Sequence, residues 1–154
     1  IIFFDKPFTL GDLVKVEAIT GTVEKIGLRS TRIRTDQKTI VTVPNKKMVD
    51  TILDNLTLRT QRKAEIRLEL RVYTNSQLIE ELIAKAEMLL QQQEEIESYT
   101  VVLNDIGAKS IILHIDYFTQ TIEFARFQEI KQNINLHLLR FMEALSIELA
   151  GNQP

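Results

Sequence analysis

Positively charged side chains cluster in the first third of this sequence. Six of them fall within 19 residues: Arg29, Arg32, Arg34, Lys38, Lys46 and Lys47. Guanidinium and ammonium groups at this density can bind the phosphates of nucleic acids. The same stretch has no aromatic residue on which a base could stack, and Glu24 and Asp36 reduce its positive charge. A solvated strand face or a surface between subunits is therefore the favoured interpretation, and a nucleic-acid site is the alternative.

No other residues have the spacing of a catalytic or metal site. His114 and His137 are the two histidines, they belong to different predicted elements, and the chain has no cysteine. Asp105 and Asp116 flank a predicted hairpin, where carboxylates are usually solvated rather than catalytic. The motifs GxSxG, GxxxxGKS/T and GxGxxG are absent from the sequence. We therefore predict that the protein is not an enzyme and uses neither a metal nor another cofactor.

The overall charge argues against electrostatic binding of nucleic acid by the chain as a whole, because the 154 residues carry a formal net charge of -2. The balance is uneven: residues 1–57 contain nine basic and seven acidic residues, and residues 58–154 contain ten and fourteen. No apolar run approaches the roughly 20 residues of a membrane-spanning helix. The apolar start Ile1-Ile2-Phe3-Phe4 without a Met indicates either a terminus that is disordered or tucked into the core, or a longer, hydrophobic upstream segment.

Short strands are predicted throughout the first 57 residues. Thr31, Ile33 and Thr35 alternate with Arg32 and Arg34, which is the period of a half-buried strand. Similar runs predict five strands: 13–17, 22–26, 30–35, 39–43 and 52–57. Thr20-Gly21 is predicted to be a turn, Gly27 a bend that requires glycine, and Pro44 the end of the fourth strand, before a helical turn at 46–50. Five short strands joined by such turns favour a small barrel or sandwich.

The pattern changes near residues 58–60, where we place a domain boundary. Ile66, Leu68, Leu70 and Val72 alternate with charged residues, as in a long strand with one buried face. Asn75-Ser76 offers a helix N-cap, and helical spacing follows over 77–93. Strands are predicted over 99–103 and 110–118, a helix over 122–145 and a closing strand over 146–150. The stripe of the second helix is Phe124, Phe127, Ile130, Ile134, Leu138, Phe141 and Leu145. This βαββαβ order is that of a ferredoxin-like domain, so the predicted class is α+β.

Three segments, taken together, resemble a known family. They are Asp5-Lys-Pro-Phe-Thr-Leu-Gly-Asp12, the run from Gly21-Thr-Val-Glu to Arg32-Ile-Arg-Thr35, and Ile40-Val-Thr-Val-Pro-Asn45. In this order and spacing they resemble the small-conductance mechanosensitive channel family. Asn104-Asp-Ile-Gly-Ala-Lys-Ser-Ile111 is similar to part of that family's later α/β domain. The resemblance covers roughly residues 1–150.

The resemblance implies a membrane channel, typically a homoheptamer, that opens under membrane tension and releases ions and osmolytes in hypoosmotic shock. The chain would be its cytoplasmic vestibule, on the inner side of a bacterial cell membrane and soluble as a fragment. Residues 1–8 would end the pore-helix connection, 9–58 would form a five-stranded Sm-like β domain and 59–154 a ferredoxin-like domain.

The same resemblance assigns roles to particular residues. Lys6 and Phe8 become candidates for membrane-proximal coupling, and Gly27 and Pro44 for backbone-critical positions. The candidates for a subunit interface or vestibule surface are Arg29, Arg32, Arg34, Lys46 and Lys47. The implied partners are further copies of the chain and the lipid bilayer, reached through an N-terminal region that this sequence lacks, and not nucleic acid. The alternatives are a stand-alone Sm-like RNA-binding protein and a small-ligand sensor built on the second domain.

Overall fold

The computed structural model describes residues 7–151. They form two compact units, divided between Arg59 and Thr60. We call residues 7–59 the β unit and residues 60–151 the α/β unit. No helix in the described part of the chain is long and apolar enough to cross a membrane.

The β unit is one antiparallel sheet with a short helix. Its strands are β1 (Leu13–Val16), β2 (Ile19–Ile26), β3 (Ser30–Thr35), β4 (Ile40–Pro44) and β5 (Leu53–Asn55). Helix α1 (Asn45–Asp50) joins β4 to β5, and a 3-10 turn (Leu56–Leu58) follows β5. The sheet order is β4-β3-β2-β1-β5, so that β4 and β5 form its two edges.

Alternating side chains build the core of the β unit. In β3 Thr31 and Ile33 are buried while Arg32 is exposed, which confirms the predicted period of two. The buried apolar set is Phe8, Val14, Val16, Val23, Ile33, Val43 and Met48. One face of the sheet therefore carries the core, and the charged residues lie on the other face.

Two glycine predictions in the β unit need correction. The predicted turn at Thr20-Gly21 is wrong, because both residues lie within β2 and the chain reverses at Glu17, whose φ is 55°. Position 21 has no room for a side chain, since a Cβ there would lie 2.5 Å from the carbonyl oxygen of Arg34. Gly27 does not have the positive φ that we expected. A Cβ at Gly27 would approach the carbonyl oxygen of Ser30 to 3.0 Å, so close packing is what favours glycine at this bend.

The α/β unit packs two helices on a three-stranded antiparallel sheet. Its strands are β6 (Arg62–Leu70), β7 (Ile96–Ile106) and β8 (Ile111–Thr119), in the order β6-β8-β7. Helix α2 (Ser76–Gln92) precedes β7, and α3 (Phe124–Ala144) follows β8. Asn75 caps α2 as predicted, because its side-chain oxygen accepts a hydrogen bond of 2.8 Å from the Gln77 amide.

The closing strand predicted at 146–150 is reduced to a single bridge between Leu70 and Leu149. Two backbone hydrogen bonds flank it, from Arg71 N to Glu148 O and from Ala150 N to Glu69 O. A positive φ of 55° at Ser146 turns the chain just before this point, which leaves few residues to extend along β6. Five of the six elements in the predicted βαββαβ order are thus full strands or helices.

Helix α3 buries a stripe that differs slightly from the predicted one. Phe127, Ile130, Ile134 and Leu138 are buried as expected, and Met142 continues the stripe. Phe124, assigned to the same stripe, is 55% exposed because it lies at the first turn of the helix, beyond the packed face. The core is completed by buried residues of α2 (Ile79, Leu82, Ala86 and Leu90) and of the sheet (Ala64, Leu70, Ile111, Leu113, Ile115 and Tyr117).

One polar atom inside this core has no partner. The hydroxyl of Tyr117 is buried and forms no hydrogen bond with the described residues. Burial raises the pKa of Tyr117 to about 12, because the charged phenolate is poorly solvated there. The aromatic ring therefore stabilises the core by packing, and its hydroxyl opposes that stabilisation.

We predict that Phe127→Ala lowers the free energy of unfolding by about 3–5 kcal/mol, because it leaves a cavity in the core. The matched control is Phe124→Ala on the same helix, whose ring is 55% exposed, against 8% for Phe127. Urea unfolding of both variants measures the two losses. Equal losses would show that Phe127 is not a core residue.

A second prediction concerns Tyr117→Phe. Removing an unpaired hydroxyl should raise the free energy of unfolding by about 1 kcal/mol at neutral pH. Because the folded pKa lies above that of the unfolded chain, the wild-type protein should lose stability as the pH rises from about 10 to about 12, and Tyr117→Phe should lack this loss. Denaturant midpoints measured across this range test the difference, with Tyr99→Phe on the exposed strand β7 as the control. A variant less stable than wild type at neutral pH would contradict the prediction.

Candidate functional site

The basic residues of the β unit divide into paired and unpaired groups. Arg34 on β3 forms two hydrogen bonds with Glu24 on β2, Nε to Oε2 at 2.7 Å and Nη2 to Oε1 at 3.0 Å. Its Nη1 also donates to the carbonyl oxygen of Lys38 at 2.8 Å. These hydrogen bonds hold the hairpin between β3 and β4 in place. All the partners of Arg34 that they involve belong to the β unit.

A bulge in β2 allows this pairing. The register between β2 and β3 shifts between Val23 and Lys25, and Glu24 is left without a directly opposite residue. The hydrogen bonds from Arg34 lower the pKa of Glu24, and those same bonds raise the pKa of Arg34. Both side chains are partly exposed, so solvent screens the ion pair and it adds little to the free energy of unfolding. Its main effect is to hold the side chains of Arg34 and Glu24 in a fixed geometry.

Seven cations of the β unit remain without a carboxylate in ion-pair range among the described residues: Lys15, Lys25, Arg29, Arg32, Lys38, Lys46 and Arg59. Lys25 and Arg32 lie directly opposite each other on β2 and β3. Two like charges in this position repel, so an anion or acidic group placed against them would be stabilised. Lys47, by contrast, pairs with Glu17 at 3.2 Å. The structure thus separates Arg29, Arg32 and Lys46 from the two predicted surface residues that have internal partners, Arg34 and Lys47.

Asn45 is the residue that sequence reasoning missed. Its side-chain oxygen accepts a hydrogen bond of 2.8 Å from the buried hydroxyl of Thr31, and its Nδ2 donates to Gly27 O at 2.9 Å. Its backbone amide donates to Arg29 O at 2.8 Å. One residue at the start of α1 therefore fixes the loop between β2 and β3, which carries the exposed Leu28. The available signal was an amide side chain directly after Pro44, at the junction of a strand and a helix.

The remaining predicted site residues have different surroundings. Lys6 lies outside the described residues. Phe8 is 6% exposed and belongs to the core of the β unit. Pro44 pairs opposite Ser30 at the end of β4 and precedes α1 with a φ of -57°. The membrane-proximal and backbone roles assigned to these residues stay predictions.

The histidines are separate in the structure. His114 Nε2 lies 3.6 Å from an Asp116 carboxylate oxygen on the open face of β8. His137 Nδ1 lies 2.8 Å from the carbonyl oxygen of Asn133 within α3. Among residues 7–151 no group of three or more His, Asp or Glu side chains is arranged to hold a metal ion.

Comparison with known proteins gives a consistent result. Residues 1–58 match the family described as mechanosensitive ion channel, beta-domain. Over 97% of its length the chain is 35% identical to the small-conductance mechanosensitive channel MscMJ of Methanocaldococcus jannaschii, and it spans 43% of that protein. It is 32% identical, over 93% of its length, to an MscS family protein of Aquifex aeolicus and spans 40% of it. The chain therefore spans about two fifths of the curated relatives it matches.

Solved structures show the same fold. A cryo-EM structure of Arabidopsis thaliana MSL1 has a TM-score of 0.85 and 18% identity, and the match covers 96% of this chain and 54% of that one. The closed-state crystal structure of Helicobacter pylori MscS has a TM-score of 0.78 and 19% identity, covering 96% and 58%. At these identities the likeness establishes the fold alone.

We predict that Asn45→Ala lowers the free energy of unfolding by about 2–3 kcal/mol, because it leaves the Thr31 hydroxyl buried without a partner and removes the bond to Gly27. Asn104→Ala is the control, since Asn104 is exposed on β7. Chemical unfolding of the two variants measures the difference. An Asn45→Ala variant as stable as the control would show that the loop does not depend on this amide.

Proposed function

Because the chain belongs to the MscS family of mechanosensitive channels, we propose that it forms the cytoplasmic vestibule of a channel that opens under membrane tension. The observation that carries this proposal is the similarity to a curated mechanosensitive channel over 97% of the chain, at 35% identity. In this proposal the channel releases ions and small osmolytes after hypoosmotic shock. The chain contributes subunit assembly and a charged chamber in front of the pore.

The open edges of the β unit support assembly into a ring. Strands β4 and β5 are the two edges of its sheet, and neither pairs with another strand of the described chain on its outer side. An unpaired edge is a template for another strand. Two different edges that meet between copies give a head-to-tail contact, which closes into a ring when the rotation allows it. A heptamer is the ring size that the family resemblance implies.

The buried ring of Phe8 supports a mechanical connection. Phe8 packs in the same core as Val14 and Met48, so the chain is anchored to the sheet at Phe8. In the proposed channel the segment up to Phe8 continues from the pore-lining helix. Movement of that helix would then be transmitted to the β unit through Phe8.

The charge distribution supports a chamber that filters ions weakly. Residues 60–151 contain fourteen acidic and nine basic residues, so the α/β unit would attract cations to the chamber that it lines. The unpaired cations of the β unit oppose this effect locally. Both contributions act between exposed charges, so they fall with ionic strength over a Debye length of about 8 Å at physiological salt.

The structure gives less support to RNA binding by the β unit. Phe8 is the sole aromatic residue between positions 7 and 59, and it is buried. Bases would therefore find no stacking surface beside the exposed cations. Arg34, central to the basic cluster, is already bound to Glu24.

The decisive experiment expresses the complete reading frame that contains this chain in a bacterial strain without its own mechanosensitive channels. We expect pressure-activated currents in membrane patches and improved survival of a hypoosmotic downshock, compared with cells carrying an empty vector. Light scattering of the purified protein should give a mass that is a multiple of the monomer. If the protein reaches the membrane and neither currents nor survival appear, the channel proposal fails.

A further inference from the structure

We propose that a groove on helix α3 of one subunit binds the outer edge of strand β7 of the next copy of this chain. The inference rests on the ring assembly proposed above and adds a specific contact between the α/β units. We define the α3 groove by the exposed residues Phe124, Gln128, Lys131, Asn135, Leu136 and Leu139, which line an open volume of about 550 Å³.

The α3 groove has the composition of a protein interface. Phe124, Leu136 and Leu139 are 55%, 41% and 49% exposed, and the Phe124 ring stacks on the core residue Phe127 with 6.5 Å between the ring centres. Amide side chains separate them, and Lys131 is the single charged residue in the lining. Charged residues make up 26% of the sequence, so this face is depleted in charge, as the centres of interfaces are.

Strand β7 offers the complementary surface. It is eleven residues long and pairs with β8 on one side, while its other side has no partner strand in the described part of the chain. Its apolar side chains are unusually accessible: Tyr99, Val102, Leu103 and Ile106 are exposed, Ile106 to 72%. A long open edge with exposed apolar residues is a liability unless another chain covers it.

The two surfaces lie on opposite flanks of the α/β unit. The sheet order β6-β8-β7 places β6 at one edge and β7 at the other. The groove is on the β6 flank, because the guanidinium of Arg62 on β6 lies 5.5 Å from the centre of the Phe124 ring. Helix α2 contacts α3 on its other side, where Lys85 lies 5.5 Å from the Phe141 ring. Phe141 is two positions from Leu139, or about 200° around the helix.

Opposite placement is the geometry of a head-to-tail contact. Each subunit would use its α3 groove toward one neighbour and its β7 edge toward the other, so the contact repeats around a ring. A two-fold contact would instead require one surface to complement itself. Because the two surfaces differ and lie on opposite flanks, the favoured occupant of the α3 groove is the next copy of the chain in a ring.

The charges of the α3 groove and of strand β7 also favour a neighbouring copy as the partner. Lys131 forms no ion pair within the described residues, whereas β7 carries Glu97 and Asp105 and no basic residue. The hydrogen bonds that these carboxylates accept come from neutral donors, Gln61 Nε2 and the Ile106 amide. The edge is thus acidic and the groove is basic, which favours the heterologous pairing over contact of either surface with its own copy.

The absence of cysteine from the sequence allows a direct test by cross-linking. The complete protein carrying both Leu139→Cys and Ile106→Cys is treated in membranes with a flexible bismaleimide. We expect a ladder of covalent oligomers from the double variant and none from either single variant. Dimers from a single variant would overturn the proposal in favour of a two-fold contact.

Substitutions provide an independent measurement. Leu139→Asp and Ile106→Asp should each raise the concentration at which the purified oligomer dissociates by about tenfold or more. Met88→Asp is the matched control, because Met88 is an apolar residue 59% exposed on α2, outside the groove. Lys131→Glu should also weaken assembly, and adding Asp105→Lys to that variant should restore it.

The possible outcomes distinguish a failure of this contact from a failure of the proposed function. A wild-type protein that remains monomeric refutes ring assembly and the contact together. A stable oligomer that neither cross-links nor responds to Leu139→Asp and Ile106→Asp refutes the contact alone, while pressure-activated currents would still support the channel.

Discussion

Unpaired sheet edges are the constraint on which the rest of this molecule depends. Within residues 7–151, β4 and β5 of the β unit and the eleven residues of β7 in the α/β unit each have a strand partner on one side only. Backbone donors and acceptors at an edge remain satisfied only while water or another strand reaches them. Small soluble domains usually protect such edges with charges, prolines or short strands. Here β7 is long and exposes Tyr99, Val102, Leu103 and Ile106 beside two carboxylates, which is understandable if neighbouring copies cover it.

A few polar side chains fix the loops of the β unit. They do so where the small β unit provides too little hydrophobic packing to hold these loops. Asn45 holds the loop at Gly27 and satisfies the buried hydroxyl of Thr31. Arg34 and Glu24 join the hairpin to the bulged strand in a similar way. These contacts fix two loops relative to the sheet, so that the exposed residues of those loops have defined positions for a partner.

Much of the fold was predictable because hydrophobic periodicity is local. The alternation in β3, the helical stripes of α2 and α3, and the Asn75 cap were all read from neighbouring residues. The errors occur where distant contacts decide the structure. Gly21 looked like a turn residue, but it is a strand residue whose missing Cβ makes room for the carbonyl oxygen of Arg34. The basic cluster could be located in sequence, yet only the fold shows that Glu24 forms its ion pair with Arg34, while Arg32 lies outside ion-pair distance of the described carboxylates.

The two units carry opposite net charge, with more basic than acidic residues in positions 1–57 and the reverse in positions 58–154. Repulsion between Lys25 and Arg32 costs free energy in an isolated β unit, because no described carboxylate lies within ion-pair distance of them. An excess of acidic residues in the α/β unit likewise disfavours its compact state. Both costs fall when acidic and basic surfaces of different copies approach each other. In the proposed ring, association of copies would relieve both the open edges and the unbalanced charge of a single chain.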